Sequence, residues 1–241
     1  MMQLKRESFF LLNGQWDFAF DDENIGVLEG WSHTVRGDRK INVPFTYETG
    51  KSGIGDERPH GVIWYWKNIT ITNEFKKDQS IQINFEGCDY HLDLWVNGVY
   101  KGSHDGAYTR FAFELGKFAE GEEVLLSIRV EDPHSEEQVR GKQRWLSDNY
   151  GCWYVQTTGI WKDVWLEQVS DDYVEKIKIT PDIYKKTVTI HTMCHSNKEN
   201  LIMKSDVYFE GKFINSVSGK LEAGVCQMDI DVYNKYVGEW G

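Results

Sequence analysis

The sequence predicts an all-β fold closed as a two-sheet sandwich of the jelly-roll or immunoglobulin type. Three observations carry this. Alternation of apolar and polar residues with period two recurs along the chain. No stretch of ten or more residues sustains helical periodicity. Twenty-two glycines against four prolines suit antiparallel strands joined by glycine turns.

The strands follow in order. In "SIQINF", Ile81, Ile83 and Phe85 fall on one face. In "HLDLWV", Leu92, Leu94 and Val96 do so, and in "EVLLSIRV", Val124, Leu126, Ile128 and Val130. Asn97-Gly98 stands between two apolar runs, the strongest two-residue hairpin signal. "FEGKF" (209–213) is a weaker form of the same device. A boundary falls near residue 170. Beyond it a less aromatic set of strands is expected at 173–180, 187–193, 201–209, 212–219 and 225–232. They suit the opening of an Ig-like sandwich, which needs about seven strands and about 100 residues. With some five strands here, the chain is expected to stop inside its second domain.

Composition narrows the function. Forty per cent apolar and 14% aromatic residues are enough to bury a core. A net charge of -11, from 38 acids against 27 bases, repels phosphate backbones and argues against nucleic acid as a partner. The four cysteines, Cys88, Cys152, Cys194 and Cys226, form no CxxC pair, so no structural zinc site is expected and they read as buried thiols, with a Cys194–Cys226 bridge across two strands as the alternative. No 18-residue apolar stretch occurs, which argues against a membrane span. The apolar run "SFFLL" is too short for a signal peptide, which favours a cytoplasmic setting, or a periplasmic or secreted one if a signal has been removed.

Several segments resemble, in order, the N-terminal region of glycoside hydrolase family 2, the β-galactosidase and β-glucuronidase group. "LLNGQWDFAF" (11–20) is similar to its opening L-N-G-x-W-x-F strand, and "INVPFTYE" (41–48) to its V-P segment. "HGVIWYWKNITI" (60–71) resembles the G-x-x-W-Y strand. "INFEGCDYHLDLWVNGVYKGSHDGAYTRFAFEL" (83–115) is similar to the F-E-G-V-D … V-W-V-N-G … G-x-H-x-G-G-Y-x-x-F block. "RGKQRW" and "TTGIWKDVWLE", within 140–167, resemble the R-G-K-Q and T-G-I-W-x-x-V-W-L-E signatures. The resemblance implies a jelly-roll domain of sugar-binding type over 1–170 and an Ig-like domain, truncated, over 171–241. In such enzymes a TIM barrel of about 250 residues follows and carries both catalytic glutamates. The chain would then have no catalytic residue, cofactor or metal of its own. Its partner would be a carbohydrate substrate, met through the full-length enzyme.

The resemblance further implies that the first domain lends residues to the sugar pocket. Asp132, in "IRVEDPHSEEQVRGKQ", matches a lent carboxylate, which can accept two directed hydrogen bonds from sugar hydroxyls. Where galactosidases of the family carry Asn before the G-x-x-W-Y strand, this sequence has Arg58. That departure puts galactose specificity in doubt, and Arg58 or His60 is a candidate contact to an acidic sugar. Trp145 and Trp153 lie in a loop after Asp132 and are candidates for pocket lining or sugar stacking. Trp31 is a third loop tryptophan, whereas Trp161 and Trp165 belong to the expected last strand of the jelly roll and read as packed.

Other apparent chemistry dissolves. Asn73-Glu74 copies the family's acid/base dipeptide but sits between strands before two lysines, an exposed turn. Ser103-His104-Asp105 are adjacent and cannot line up as nucleophile, base and orienter. His191 and His195 share a strand face from which Cys194 points away. Two further readings stay open: a stand-alone carbohydrate-binding module, and a structural domain making homo-oligomer contacts.

Overall fold

A computed structural model describes residues 6, 8–133 and 137–232. The chain divides into two compact units, one spanning Arg6–Gln168 and one beginning at Val169.

The strands are β1 (Phe9–Leu11), β2 (Gly14–Phe20), β3 (Arg39–Val43), β4 (Val62–Thr70), β5 (Ser80–Phe85), β6 (Cys88–Asp89), β7 (His91–Val96), β8 (Val99–Asp105), β9 (Phe111–Gly116) and β10 (Glu123–Glu131). They continue with β11 (Gly159–Ile160), β12 (Val164–Val169), β13 (Tyr173–Asp182), β14 (Thr187–His195), β15 (Ile202–Phe209), β16 (Lys212–Lys220) and β17 (Val225–Asp231). In the first unit a six-stranded sheet, β3-β2-β4-β10-β7-β8, faces a four-stranded sheet, β1-β12-β5-β9, and β11 pairs with β6 beside them.

The alternating residues build the layer between the sheets. Phe18, Ile63, Tyr65, Leu94, Ile128 and Val130 come from the larger sheet, and Ile81, Ile83, Phe85, Val164 and Leu166 from the smaller. Register follows from this pattern, since a slip by one residue would turn the apolar set to solvent. Ile128 accordingly stands opposite Tyr65 on one side and Leu94 on the other. Asn97 and Gly98 both take positive φ, 50° and 79°, and close the β7–β8 hairpin. Glu210 and Gly211 do the same between β15 and β16.

Strand β4 is apolar on both faces. Its second face puts Trp64 and Trp66 in a separate cluster on the outer side of the sheet. The 21–38 loop folds over them, with Trp31 packed edge-on to Trp64 at 6.1 Å. Asp21 holds this loop down by accepting from Trp64 Nε1 at 3.0 Å and from the backbone N–H of Ile25 and Gly26.

Two expectations change. The expected last strand of the jelly roll is broken into β11 and β12, with Trp161 in the gap. There its indole donates to the Ala107 carbonyl at 2.9 Å. Cys152 is exposed rather than buried, because it lies in the tight turn closed by Tyr150 and Trp153.

The second unit holds a three-stranded sheet, β13-β14-β17, and a two-stranded sheet, β15-β16. They meet around Leu221, Cys226 and Met228, with Met203 and Val217 against them. Cys194 and Cys226 are free thiols. Among the described residues no helix is long and apolar enough to cross a membrane.

Phe85 is fully buried and stacks on Phe111 at 5.0 Å. Its replacement by Ala should cost about 3–5 kcal/mol, read by urea unfolding of residues 6–168. Tyr184→Ala, at a residue 92% exposed, should change stability of the whole chain by about 0.5 kcal/mol or less.

Candidate functional site

The long segment between β10 and β11 is anchored by a buried polar layer beneath one end of the sandwich. Asp132, 3% exposed, ends β10, and its backbone N–H donates to the Gly61 carbonyl at 3.0 Å. Its Oδ2 accepts from Thr158 Oγ1 at 2.8 Å, and its Oδ1 accepts from Arg140 Nη2 at 3.2 Å and from Gln138 Nε2. One carboxylate therefore joins the start of the segment, its middle and its end.

Two further carboxyls lie in the same layer. Glu48 Oε1 accepts from the Thr158 backbone N–H at 3.0 Å. Asp89 Oδ2 accepts from Gln143 Nε2 at 2.8 Å, while Gln143 Oε1 receives the Thr157 N–H at 2.6 Å. Burial pushes Glu48 up to about 7, with the Asp132 charge adding to it. Asp89 is likewise pushed up to about 7, by burial first and by Asp132 second, with the Arg140 charge opposing. Gly159 completes the turn at φ +88°, and a Cβ there would lie 2.2 Å from the Tyr65 hydroxyl oxygen. Only glycine lets Thr158 reach Asp132 without displacing that core tyrosine.

A second clamp positions the 56–60 loop. Arg144, 4% exposed, donates Nε to Gln156 Oε1 at 3.0 Å. Arg144 Nη2 and Gln156 Nε2 both donate to the Glu57 carbonyl. Tyr47 donates to the Arg58 carbonyl at 3.1 Å and accepts from the His60 N–H at 3.0 Å.

The residues singled out from sequence take different places. Asp132 is the centre of the buried layer. Arg58 stands in solvent at the rim, paired through Nε and Nη2 with both oxygens of Asp56. That pairing holds the Asp56 carboxyl well below the usual carboxylate range. His60 is buried, stacked on Phe20 at 3.6 Å between ring centres, with Nδ1 2.8 Å from Asp22. It props the loop that presents Arg58. Trp145 and Trp153 pack edge to face at 4.8 Å, with Tyr150 against Trp145. Both remain half-buried, and Tyr154 beside them is 55% exposed. The sequence reading passed over Glu48, Asp89, Arg140, Gln143 and Thr158. Each is a polar residue inside a segment that carried the family resemblance, and that coincidence was the available signal.

The raised carboxyls make a pH prediction. Both are held above their unfolded values, so folding favours their protonated forms. Their contribution to stability is complete below about pH 4 and is lost as pH rises through about 7. Glu48→Gln removes one such group. Relative to the parent, this variant should gain of the order of 2 kcal/mol between about pH 5.5 and about pH 8, measured by urea unfolding at each pH. An unchanged difference at the two pH values would contradict the assignment.

Comparison with known proteins agrees with this architecture. Residues 9–170 match the family model described as glycosyl hydrolases family 2, sugar binding domain. A putative beta-glucuronidase of Formosa agariphila is 28% identical over 165 residues, 65% of this chain and 19% of that protein. A beta-galactosidase of Thermoanaerobacterium thermosulfurigenes is 27% identical over 213 residues, 87% of this chain and 28% of that protein. Among solved structures, Bifidobacterium dentium beta-glucuronidase complexed with coumarin-3-O-glucuronide superposes with a TM-score of 0.73 at 16% identity, over 94% of this chain and 42% of that one. The last likeness speaks to fold alone. The chain thus spans well under half the length of these relatives, and it belongs to glycoside hydrolase family 2 through that family's sugar binding domain.

Proposed function

We propose that the chain is the non-catalytic N-terminal region of a retaining β-glycosidase of β-galactosidase or β-glucuronidase type. It lends pocket residues to a barrel supplied by the rest of the protein. The observation that carries this reading is the match of 162 consecutive positions, residues 9–170, to the sugar binding domain of a family whose relatives here are several times longer. Retaining hydrolysis needs two carboxyl groups about 5–5.5 Å apart and open to substrate. The carboxyls gathered here, Glu48, Asp89 and Asp132, are each 5% exposed or less and bind the protein's own donors.

Within this reading Asp132 meets the sugar by exchanging one partner. Gln138, which donates to Oδ1, is half-buried, whereas Arg140 on the same oxygen is buried. A sugar hydroxyl that displaces Gln138 gains a charge-assisted hydrogen bond while Thr158 keeps the other oxygen. Arg58 stands at the rim with its charge matched by Asp56, so recognition of an acidic sugar by Arg58 requires breaking that pair. The edge-to-face packing of Trp145 on Trp153 favours lining a pocket wall over an open stacking platform.

The test uses chromogenic β-galactoside and β-glucuronide. The full-length protein should turn over at least one, and the chain alone neither. Asp132→Ala in the full-length protein should lower kcat/KM about tenfold or more. Turnover by the purified chain, or a folded full-length protein inert toward both substrates, contradicts the proposal.

A further inference from the structure

Arg140 is placed against the usual preference of its segment. Its neighbour Val139 is 73% exposed, while Arg140 itself is 7% exposed. A guanidinium carries five N–H donors, and burying it without partners is unfavourable. Here Nη2 reaches Asp132 Oδ1 at 3.2 Å and the Pro133 carbonyl at 3.3 Å. Nε and Nη1 are buried with no hydrogen-bond partner among the described residues. Two of its three nitrogens therefore gain nothing from burial, and the contact it does make is directed at Asp132. What it does supply is a buried positive charge against Asp132, in a layer that also holds Glu48 and Asp89.

Among the described residues, two side chains donate to Oδ1, and they differ in exposure. Gln138 is half-buried and Arg140 is buried. Of these two, Gln138 is the one an incoming hydroxyl can replace without opening the layer. We infer that Arg140 positions Asp132 for substrate, holding the carboxylate's direction when Gln138 gives up its hydrogen bond to a sugar hydroxyl. This rests on the reading that Asp132 meets the sugar. Arg140 is a positioning residue, acting through Asp132.

The test is a double-mutant cycle in the full-length protein, using whichever chromogenic β-glycoside it hydrolyses. Arg140→Gln in the parent background should lower kcat/KM by about 10- to 100-fold, with Arg140→Lys intermediate because it keeps the charge but loses the planar fork. In an Asp132→Asn background the same Arg140 substitutions should change kcat/KM by about threefold or less. A purely structural Arg140 would lower both backgrounds by the same factor, and that additivity overturns the inference while leaving Asp132 in place. An Asp132→Asn variant as active as the parent overturns the reading beneath it, and the inference with it. Thermal unfolding identifies variants that do not fold. Where Arg140→Gln fails, Arg140→Lys carries the same cycle, and equal losses in both backgrounds again overturn the inference.

Discussion

The hydrogen bonds to the Asp132 carboxylate are the constraint on which the site end of this molecule depends. Twenty-seven residues separate the end of β10 from the start of β11, too many to be ordered by turn chemistry alone. Among the described residues, the chain returns to one buried anion through Gln138, Arg140 and Thr158. Each donor fixes the segment at a different point. A buried carboxylate is stable only when such partners are in place, so its presence and the order of the loop imply each other.

The sandwich makes that arrangement available. β10 is the central strand that pairs with both β4 and β7, and Asp132 is the residue immediately past its end. The opposite wall comes from the segment after β3, which carries Glu48, and from β6, which carries Asp89. Strand β4, buried on both faces, fixes the sheet beneath, and its Tyr65 hydroxyl sits where Gly159 leaves room. Packing precision in the core is thereby transmitted to the polar layer above it.

The fold was largely legible in the residues because its cause is periodic. Alternation in 81–85, 92–96 and 124–130 announces which side chains face the core, and Asn97-Gly98 announces a hairpin. The five later strands were equally plain. The break at Trp161 was not, because nothing local in "TTGIWKDVWLE" distinguishes an indole that packs from one that donates to Ala107. Of the buried polar layer, only Asp132 was singled out from the sequence. Glu48, Asp89 and Arg140 are far apart in sequence, and their meeting depends on how loops from three strands converge. His60 was a candidate sugar contact beside Arg58, but it is buried. Its ring turns inward because Phe20 offers a flat partner and Asp22 an acceptor.

The central claim is that this end of the sandwich forms part of a sugar pocket. Hydrogen exchange in the full-length protein, with and without a saturating competitive sugar inhibitor, tests it most directly. The account predicts slowed exchange of backbone amides in 56–60 and 137–158, with β13–β17 unchanged. Protection that leaves 56–60 and 137–158 untouched while other parts of the protein slow would contradict it.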